Sequence, residues 1–448
     1  MSFYTYFCSN LLFPLQDRLK RHNSLTVRRQ LEKSQWWARE KIIAAQNERL
    51  HVFIQAIGKN VPYYRSLFLR LGISSSEIRD SSSLTGLPFL TKSIIKQNTD
   101  ELKADGHGRL KKFNTGGSSG EPLIFYLGKN RISHDVGAKW RATRWWGVDI
   151  GDKELVVWGS PIELGAQDRL RRLRDALMRS YLIPAFEMSE GKLDSFIETI
   201  QKLRPRMLFG YPSALSLIAR HAAAGGRSMS DLGIKVAFVT SERLYDDQRK
   251  LISSVFGCPV ANGYGSRDAG FIAHECPSGG MHIMSEEIIV EIVDEQGHIV
   301  ADDQPGEIVI THLGTEDFPF VRYKTGDIAI MDKSNCTCGR GLPMLREIQG
   351  RSTDFIISED GAKMHGLSLI YIIRDLPGVR EFKIIQYTRM STTVLIVADP
   401  CFDSECIDFI VAGFRVRLGM AVEVRVELVQ SIEAEKSGKF RYVVSHAV

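Results

Sequence analysis

The residues best suited to chemistry fall in a few short clusters. Residues 114–122 read NTGGSSGEP, three glycines and three hydroxyl residues in one run. Glycine has no Cβ, so its backbone can approach a ligand closely. Successive N–H groups and hydroxyls can then cradle phosphate oxygens. No Lys-Ser/Thr pair follows and no helix is expected to open there, so this is not a Walker loop. Read alone, such a run is more often a surface turn. A second cluster is Cys276, His282, Cys336 and Cys338. Three thiols and one imidazole are the donor set of a closed structural Zn²⁺ site, which leaves no open position for catalysis. Cys-x-Cys is tighter than the usual Cys-x2-Cys, yet Pro277 and the neighbouring glycines let both stretches turn. His274 is a rival fourth ligand, and unlinked reduced thiols are the alternative to zinc. Two further runs, Asn262-Gly-Tyr-Gly and Lys-Thr-Gly-Asp at 324–327, are turn signals by themselves.

These residues need a scaffold, and the chain is long enough to supply one. It has 448 residues, 44% apolar and 25% charged, with a net charge of +5. That composition fits a globular protein of one large or several ordinary domains and excludes wholesale disorder, collagen-like structure and a coiled-coil rod. The positive excess is too thin over this length to argue for nucleic-acid binding. No run approaches the roughly 18 apolar residues needed to span a bilayer. The aromatic, then basic N-terminus (MSFYTYFCSNLLFPLQDRLKRH) lacks a leading cationic segment and a small-residue cleavage site, so it is not read as a signal peptide. It is expected to be a first helix packing on the body, with a position against a membrane surface as the alternative. Seven cysteines, sparse and odd in number, argue for a reducing compartment rather than a disulfide scaffold. A cytoplasmic location is expected.

Residues 14–57 carry a helical pattern with no Gly until Gly58. Residues 58–125 are broken by Gly, Pro and Ser clusters and read as loop with short elements. Between 130 and 260, helical stretches alternate with the apolar runs LVVWG, PRMLFGYP and KVAFVTSE, which predicts a mainly parallel, covered sheet. From 286 the texture is β-rich with turn dipeptides, as in an antiparallel sheet or distorted barrel. After 350 a β-helix-β pattern suggests a small α+β unit, with a second helix near 404–418. The fold class is therefore α/β, with domains expected at 1–350 and 351–448. The arginine-rich run 168–179 reads as a solvated amphipathic helix.

The order of the motifs is more specific than any one of them. The glycine-hydroxyl loop is followed by NGYGSRDAG (262–270), RYKTGDIA (322–329), QGRSTDFII (349–357) and EKSGKFR (435–441). This set resembles the adenylate-forming superfamily of acyl-CoA synthetases, nonribosomal-peptide adenylation domains and luciferases. NVPYYRSLF and LPFLTKSIIKQN look more narrowly like the phenylacetate-CoA ligase family, including its relatives in capsular-polysaccharide gene clusters. The likeness runs from about residue 60 to the end of the chain.

The resemblance implies a site. Thr115, Gly116, Gly117, Ser118, Ser119 and Gly120 would close over the phosphates of ATP. Tyr264, in the Asn262-to-Gly265 turn, would stack on adenine, and Ser241 and Glu242 would line the same base. Asp268 would hold Mg²⁺ where relatives usually carry Glu, and Arg267 stands where Ser or Thr is common. Asp327 would accept from the ribose hydroxyls, since an ionised carboxylate is an acceptor with two oxygens. Arg351 would approach the ribose or phosphate, Tyr211 would wall the acyl pocket, and Lys439 would be the mobile catalytic lysine. The small domain would rotate about Thr353-Asp354, where relatives often have Asp or Lys in the first position. Similar cysteine pairs in part of the family support zinc at Cys276, His282, Cys336 and Cys338.

Three functions follow in order. The first is an acid-thiol ligase that uses ATP and Mg²⁺ to make an acyl-AMP and passes the acyl group to coenzyme A. The second keeps adenylation but transfers to an amine or hydroxyl in polysaccharide biosynthesis. The third is a scaffold with a degenerate nucleotide site, kept open by Arg267, Asp268 and Thr353. The partners expected are a small carboxylic acid, ATP and coenzyme A, with a homodimer admitted. No nucleic acid and no transmembrane segment are expected.

Overall fold

The computed structural model describes residues 2–115, 123–158, 169–185, 190–351, 355–373, 376–433 and 440–447. The helical pattern over 14–57 resolves into three helices, Phe13–Leu19, Ser24–Ser34 and Arg39–Asn60. The first break is a left-handed residue, Arg21 at φ 56°, with His22 N–H bonded back to the Asp17 carbonyl at 2.8 Å. The second is extended backbone at Ala38. Neither break uses Gly or Pro, so the periodicity hides both. The stretch after 58, read as loop with short elements, holds a further helix, Pro62–Leu71. Its proline occupies the first turn and Gly72, at φ 65°, ends it in the left-handed conformation.

Strands β1 (Lys111–Asn114) and β2 (Ile124–Leu127) pair antiparallel as a hairpin. Among the described residues the main sheet has 11 strands: β3 (Glu154–Trp158), β4 (Ser180–Pro184), β5 (Met207–Gly210), β6 (Val236–Thr240), β7 (Val260–Ser266), β8 (Gly270–Glu275), β9 (Met281–Ile283), β10 (Ile288–Val293), β11 (Gly306–His312), β12 (Tyr323–Asp332) and β13 (Met344–Arg351). Their order across it is β10-β11-β12-β13-β9-β8-β7-β6-β5-β3-β4. The block from β4 to β7 is parallel, as the interleaved apolar runs predict. Strands β5 and β6 are buried at every position, which is why they read as continuous apolar runs rather than as alternation. Pairing turns antiparallel at β7 with β8, and the β-rich segments after 286 extend the same sheet. The two main apolar clusters lie around Leu50, Phe53, Phe125 and Phe320, and around Leu208, Ile218, Val239 and Phe256.

The chain divides into two compact units: 1–325 with 329–348, and 326–328 with 349–448. The smaller unit pairs β14 (Phe355–Ile357) with β15 (Lys363–His365). It also builds a four-stranded sheet from β16 (Val379–Thr388), β17 (Ser391–Ala398), β18 (Glu423–Leu428) and β19 (Val443–Ser445), in the order β18-β17-β16-β19. Helix Ser404–Leu418 starts at Asp403, whose carboxylate accepts from Cys406 N–H at 3.0 Å. Buried Gln386 ties β14 to β16 by exchanging hydrogen bonds of 2.9 and 2.8 Å with the Ile357 backbone. No described helix is long and apolar enough to cross a membrane.

Candidate active site and metal centre

Parallel strands present their carboxyl ends on one side, where ligands of open α/β sheets bind. Here the ends of β3, β5 and β6 carry Trp158, Tyr211 and Ser241. Trp158 and Tyr211 rings lie 4.4 Å apart, and Tyr211 is buried. Phe209 continues the aromatic layer to Phe238 at 6.0 Å. Ser241 has a φ of 73°, a costly conformation for a residue with a side chain, and it turns the chain sharply off β6. The next residue, Glu242, accepts from Ser213 N–H at 3.2 Å, at the start of the helix Pro212–Ala224. That bond joins the Ser-Glu-Arg segment to the Phe-Gly-Tyr-Pro segment.

Strand β7 carries Asn262, Tyr264 and Gly265 into a turn that returns as β8. A Cβ on Gly265 would lie 2.1 Å from the Gly270 carbonyl oxygen, so only glycine fits this bulge. Asp268 sits in the turn and is buried. One carboxylate oxygen accepts from the Ser266 hydroxyl and the other from the Tyr323 hydroxyl, the latter at 2.6 Å. Burial pushes the carboxyl up, but the two hydroxyls and Lys92 outweigh it and hold Asp268 below the usual carboxylate range. The residue is thus an ionised hard-oxygen donor, the type that suits Mg²⁺. An ion held there would share those oxygens with two hydroxyls. The fully buried Arg131 guanidinium donates to the Asp268 carbonyl at 3.2 Å and pairs with Asp135 at 2.9 Å.

Strands β1 and β2 flank the glycine-hydroxyl run, of which Asn114 and Thr115 are described. Thr115 N–H donates to the Leu123 carbonyl at 3.0 Å, and Leu123 N–H donates to the Thr115 hydroxyl at 2.9 Å. Arg267 reaches the Asn114 carbonyl at 3.5 Å, which places the base of the loop beside the Tyr264–Asp268 turn. The structure therefore brings together Thr115, Tyr264, Gly265 and Asp268, and separately Tyr211 and Glu242. Asp327, on β12, and Arg351, at the end of β13, belong to the smaller unit. Gly116, Gly117, Ser118, Ser119, Gly120, Thr353, Asp354 and Lys439 lie outside the described residues. Tyr323 and Arg131 were not singled out by sequence. Tyr323 stands within the quoted RYKTGD run, whereas an arginine in a charged helix gives no signal.

The thiol-imidazole cluster assembles from two segments sixty residues apart. The ligand atoms of Cys276, His282, Cys336 and Cys338 all lie within 4.8 Å of one another. Cys276 and Cys336 sulfurs are 3.6 Å apart, close to the roughly 3.8 Å spacing of sulfurs around tetrahedral zinc. His282 Nε2 is 3.2 Å from the Cys338 sulfur, while Nδ1 lies 3.3 Å from the Leu342 carbonyl. Donation from Nδ1–H to that carbonyl fixes the tautomer and turns the Nε2 lone pair to the sulfurs, as metal-binding histidines require. Gly280 admits the close approach, since a Cβ there would be 2.7 Å from the Cys336 sulfur. The residues fit zinc. The rival His274 is buried elsewhere, stacked on Phe271 at a ring distance of 5.3 Å.

Comparison with known proteins bears on the same residues. A family model described as AMP-binding enzyme matches residues 178–315, and one for the CapK C-terminal domain matches 356–446. The chain is 25% identical to Protein CapK of Staphylococcus aureus, covering 90% of this chain and 88% of CapK. It is 26% identical to a phenylacetate-coenzyme A ligase of Thermus thermophilus, covering 71% and 72% respectively. Among solved structures, 2-hydroxyisobutyryl-CoA ligase in the postadenylation state has the same fold at a TM-score of 0.74 and 19% identity, covering 92% and 91%. The protein is thus an AMP-binding enzyme of the adenylate-forming ligase class. Within that class its relatives support a phenylacetate-CoA-ligase-like family that includes CapK.

Proposed function

We propose that this protein activates a small carboxylic acid as an acyl-AMP with release of pyrophosphate, and then transfers the acyl group to the thiol of coenzyme A. The observation that carries the reading is the hydrogen-bonded base of the glycine-hydroxyl loop at Thr115, held by Arg267 beside the Tyr264–Asp268 turn. Residues 115–120 would receive the polyphosphate on backbone donors. Tyr264, with Asn262, Ser241 and Glu242, would receive adenine, and Asp327 and Arg351 the ribose. Tyr211 and Trp158 would wall the acyl pocket. Lys439 would stabilise the charge that develops as the carboxylate oxygen attacks the α-phosphorus. Mg²⁺, when bound, would neutralise phosphate charge near Asp268. Residues 1–350 would hold the acid and ATP, and residues 351–448 would turn about 353–354 between the two half-reactions. Zn²⁺ at Cys276, His282, Cys336 and Cys338 would be structural.

A second acceptor is favoured by one observation. Residues 356–446 match the CapK C-terminal domain, within the region that would turn between the two half-reactions. Transfer to an amine or hydroxyl is the alternative it supports. The test is pyrophosphate release across a panel of acids, with and without coenzyme A. Acid-dependent release with thioester formation is expected. An adenylate that accumulates despite coenzyme A selects the second acceptor. No release with any acid, together with no thermal shift by ATP and Mg²⁺, selects the scaffold reading and defeats both.

A further inference from the structure

The first helical segment is built inside out. Residues 3–19 wind as Phe3–Phe7, a π-turn at Cys8–Leu12 and Phe13–Leu19. The residues buried against the body are small or polar, Thr5, Cys8, Ser9 and Asp17, while Phe7, Leu12 and Phe13 are only half-buried. Thr5 donates its hydroxyl to Asp152 at 2.8 Å, and Tyr4 and Cys8 both donate to the Leu177 carbonyl. A Cβ on Gly151 would collide with Cys8, so the segment is seated closely. The residues turned to solvent are mostly apolar, with Asn10 and Arg18 among them. Phe3 is 86% exposed and Leu19 77%, with Tyr6, Leu11 and Leu15 between them more than half exposed. A helix that only packed on the body would show the reverse pattern.

The patch continues onto the neighbouring elements and is edged by cations. Helix Arg169–Leu177 adds exposed Leu173 and Leu177, and β4, the last strand of the sheet, adds exposed Tyr181. The Arg179 guanidinium lies 3.9 Å from the Tyr4 ring centroid. Lys20 is exposed, and its partial burial, then Arg174 and Lys111, lower its ammonium. His22 is lowered by burial and then by Lys111. Of the acids facing this cluster, Asp17 is buried and Asp175 is paired with Arg174. Apolar side chains beside crowded cations, on a helix lying along the surface, are the features of an interfacial membrane helix.

We propose that this face docks on an anionic lipid bilayer. Phe3, Tyr6, Leu11, Leu15 and Leu19 enter the boundary between headgroups and acyl chains. Exposed Arg18 and Lys20, with Lys111 and Arg174, meet the anionic headgroups. At 1.5 Å per residue the segment is about 25 Å long and lies in the plane of the surface. A second copy is the weaker occupant, because a twofold contact would set the same cations against each other.

The test is vesicle flotation of the full chain. Vesicles of phosphatidylcholine alone are compared with vesicles holding about 30% phosphatidylglycerol, at about 0.1 and 0.5 M NaCl. Binding to the anionic vesicles at low salt is expected, with loss at high salt and weak binding to the neutral ones. Arg18→Glu with Lys20→Glu should weaken binding roughly fivefold or more per residue. Leu15→Glu with Leu19→Glu should abolish it. Both side-chain pairs are exposed, so the melting temperature should stay unchanged and report an intact fold. Absence of binding to anionic vesicles overturns the proposal, as does binding that neither pair alters. A dimer in light scattering that Leu15→Glu with Leu19→Glu dissociates, without vesicle binding by the wild type, assigns the face to a second copy and also overturns it. None of these outcomes depends on the adenylation reading.

Discussion

The Tyr323 hydroxyl donates to the buried carboxylate of Asp268 at 2.6 Å, from a strand 55 positions along the chain. With the Ser266 hydroxyl it offsets the burial that raises the carboxyl, and Asp268 is held below the usual carboxylate range. Tyr323→Phe removes one of the two donors and leaves the carboxylate under-satisfied. The expected cost is about 1.5–3 kcal/mol of stability, read by urea unfolding near neutral pH. Asp268 should then titrate higher, so the acid limb of the adenylation pH profile should move upward. An unmoved profile would separate the bond from the chemistry.

Zinc is expected at one equivalent per chain, measured by metal analysis of the purified protein. Cys276→Ser and His282→Ala should each lose it and lower the melting temperature. Cobalt substitution should give thiolate charge-transfer absorption that Cys338→Ser weakens. Metal-free protein with an unchanged melting temperature would dismiss the site.

His274 makes the fold acid-sensitive. Burial first, then the neighbouring Arg141 and His134, hold its folded value down at about 3, against an unfolded value near 6.5. A histidine held neutral costs nothing above pH 6.5. As pH falls below that, the unfolded state takes a proton that the folded state refuses, so stability falls. At pH 5 the loss from this one residue is about 2 kcal/mol. His274→Leu should therefore lose about that much less stability than the wild type between pH 7 and pH 5, compared by denaturant titration.

Gly265→Ala puts a methyl group 2.1 Å from a backbone oxygen that has no side-chain freedom to move. The β7–β8 bulge must shift and carry Tyr264 with it. A loss of at least about 1–3 kcal/mol is expected, with adenylation reduced more than stability alone explains. Wild-type activity in this variant would remove Tyr264 from the site.

Lys439→Ala should lower acyl-AMP formation roughly 100- to 1,000-fold. Transfer from a supplied acyl-AMP to coenzyme A should be largely retained, because the lysine is assigned to the first half-reaction alone. Equal loss in both half-reactions would refute that assignment.

Local pattern was legible without a structure. The apolar runs at 155–159, 205–212 and 235–242 became β3, β5 and β6 because strands covered on both faces need nothing but apolar residues. The helix expected near 404–418 formed there, and the structure shows Asp403 capping it. The breaks at Arg21 and Ala38 were not legible, since neither carries a residue that announces a turn.

What the chain alone determined were residue types: three thiols and an imidazole, a glycine where a bulge admits nothing larger, and an ordered set of motifs. Only the tertiary structure decided their partners. It closed sixty residues of chain to bring Cys276 to Cys336, and chose His282 over His274 by offering the Leu342 carbonyl to its Nδ1. It set Tyr323 on Asp268 and turned the apolar side of the first helix outward. Those contacts join positions far apart in sequence, and their energies depend on burial and on the direction of single lone pairs, which residue order does not encode locally.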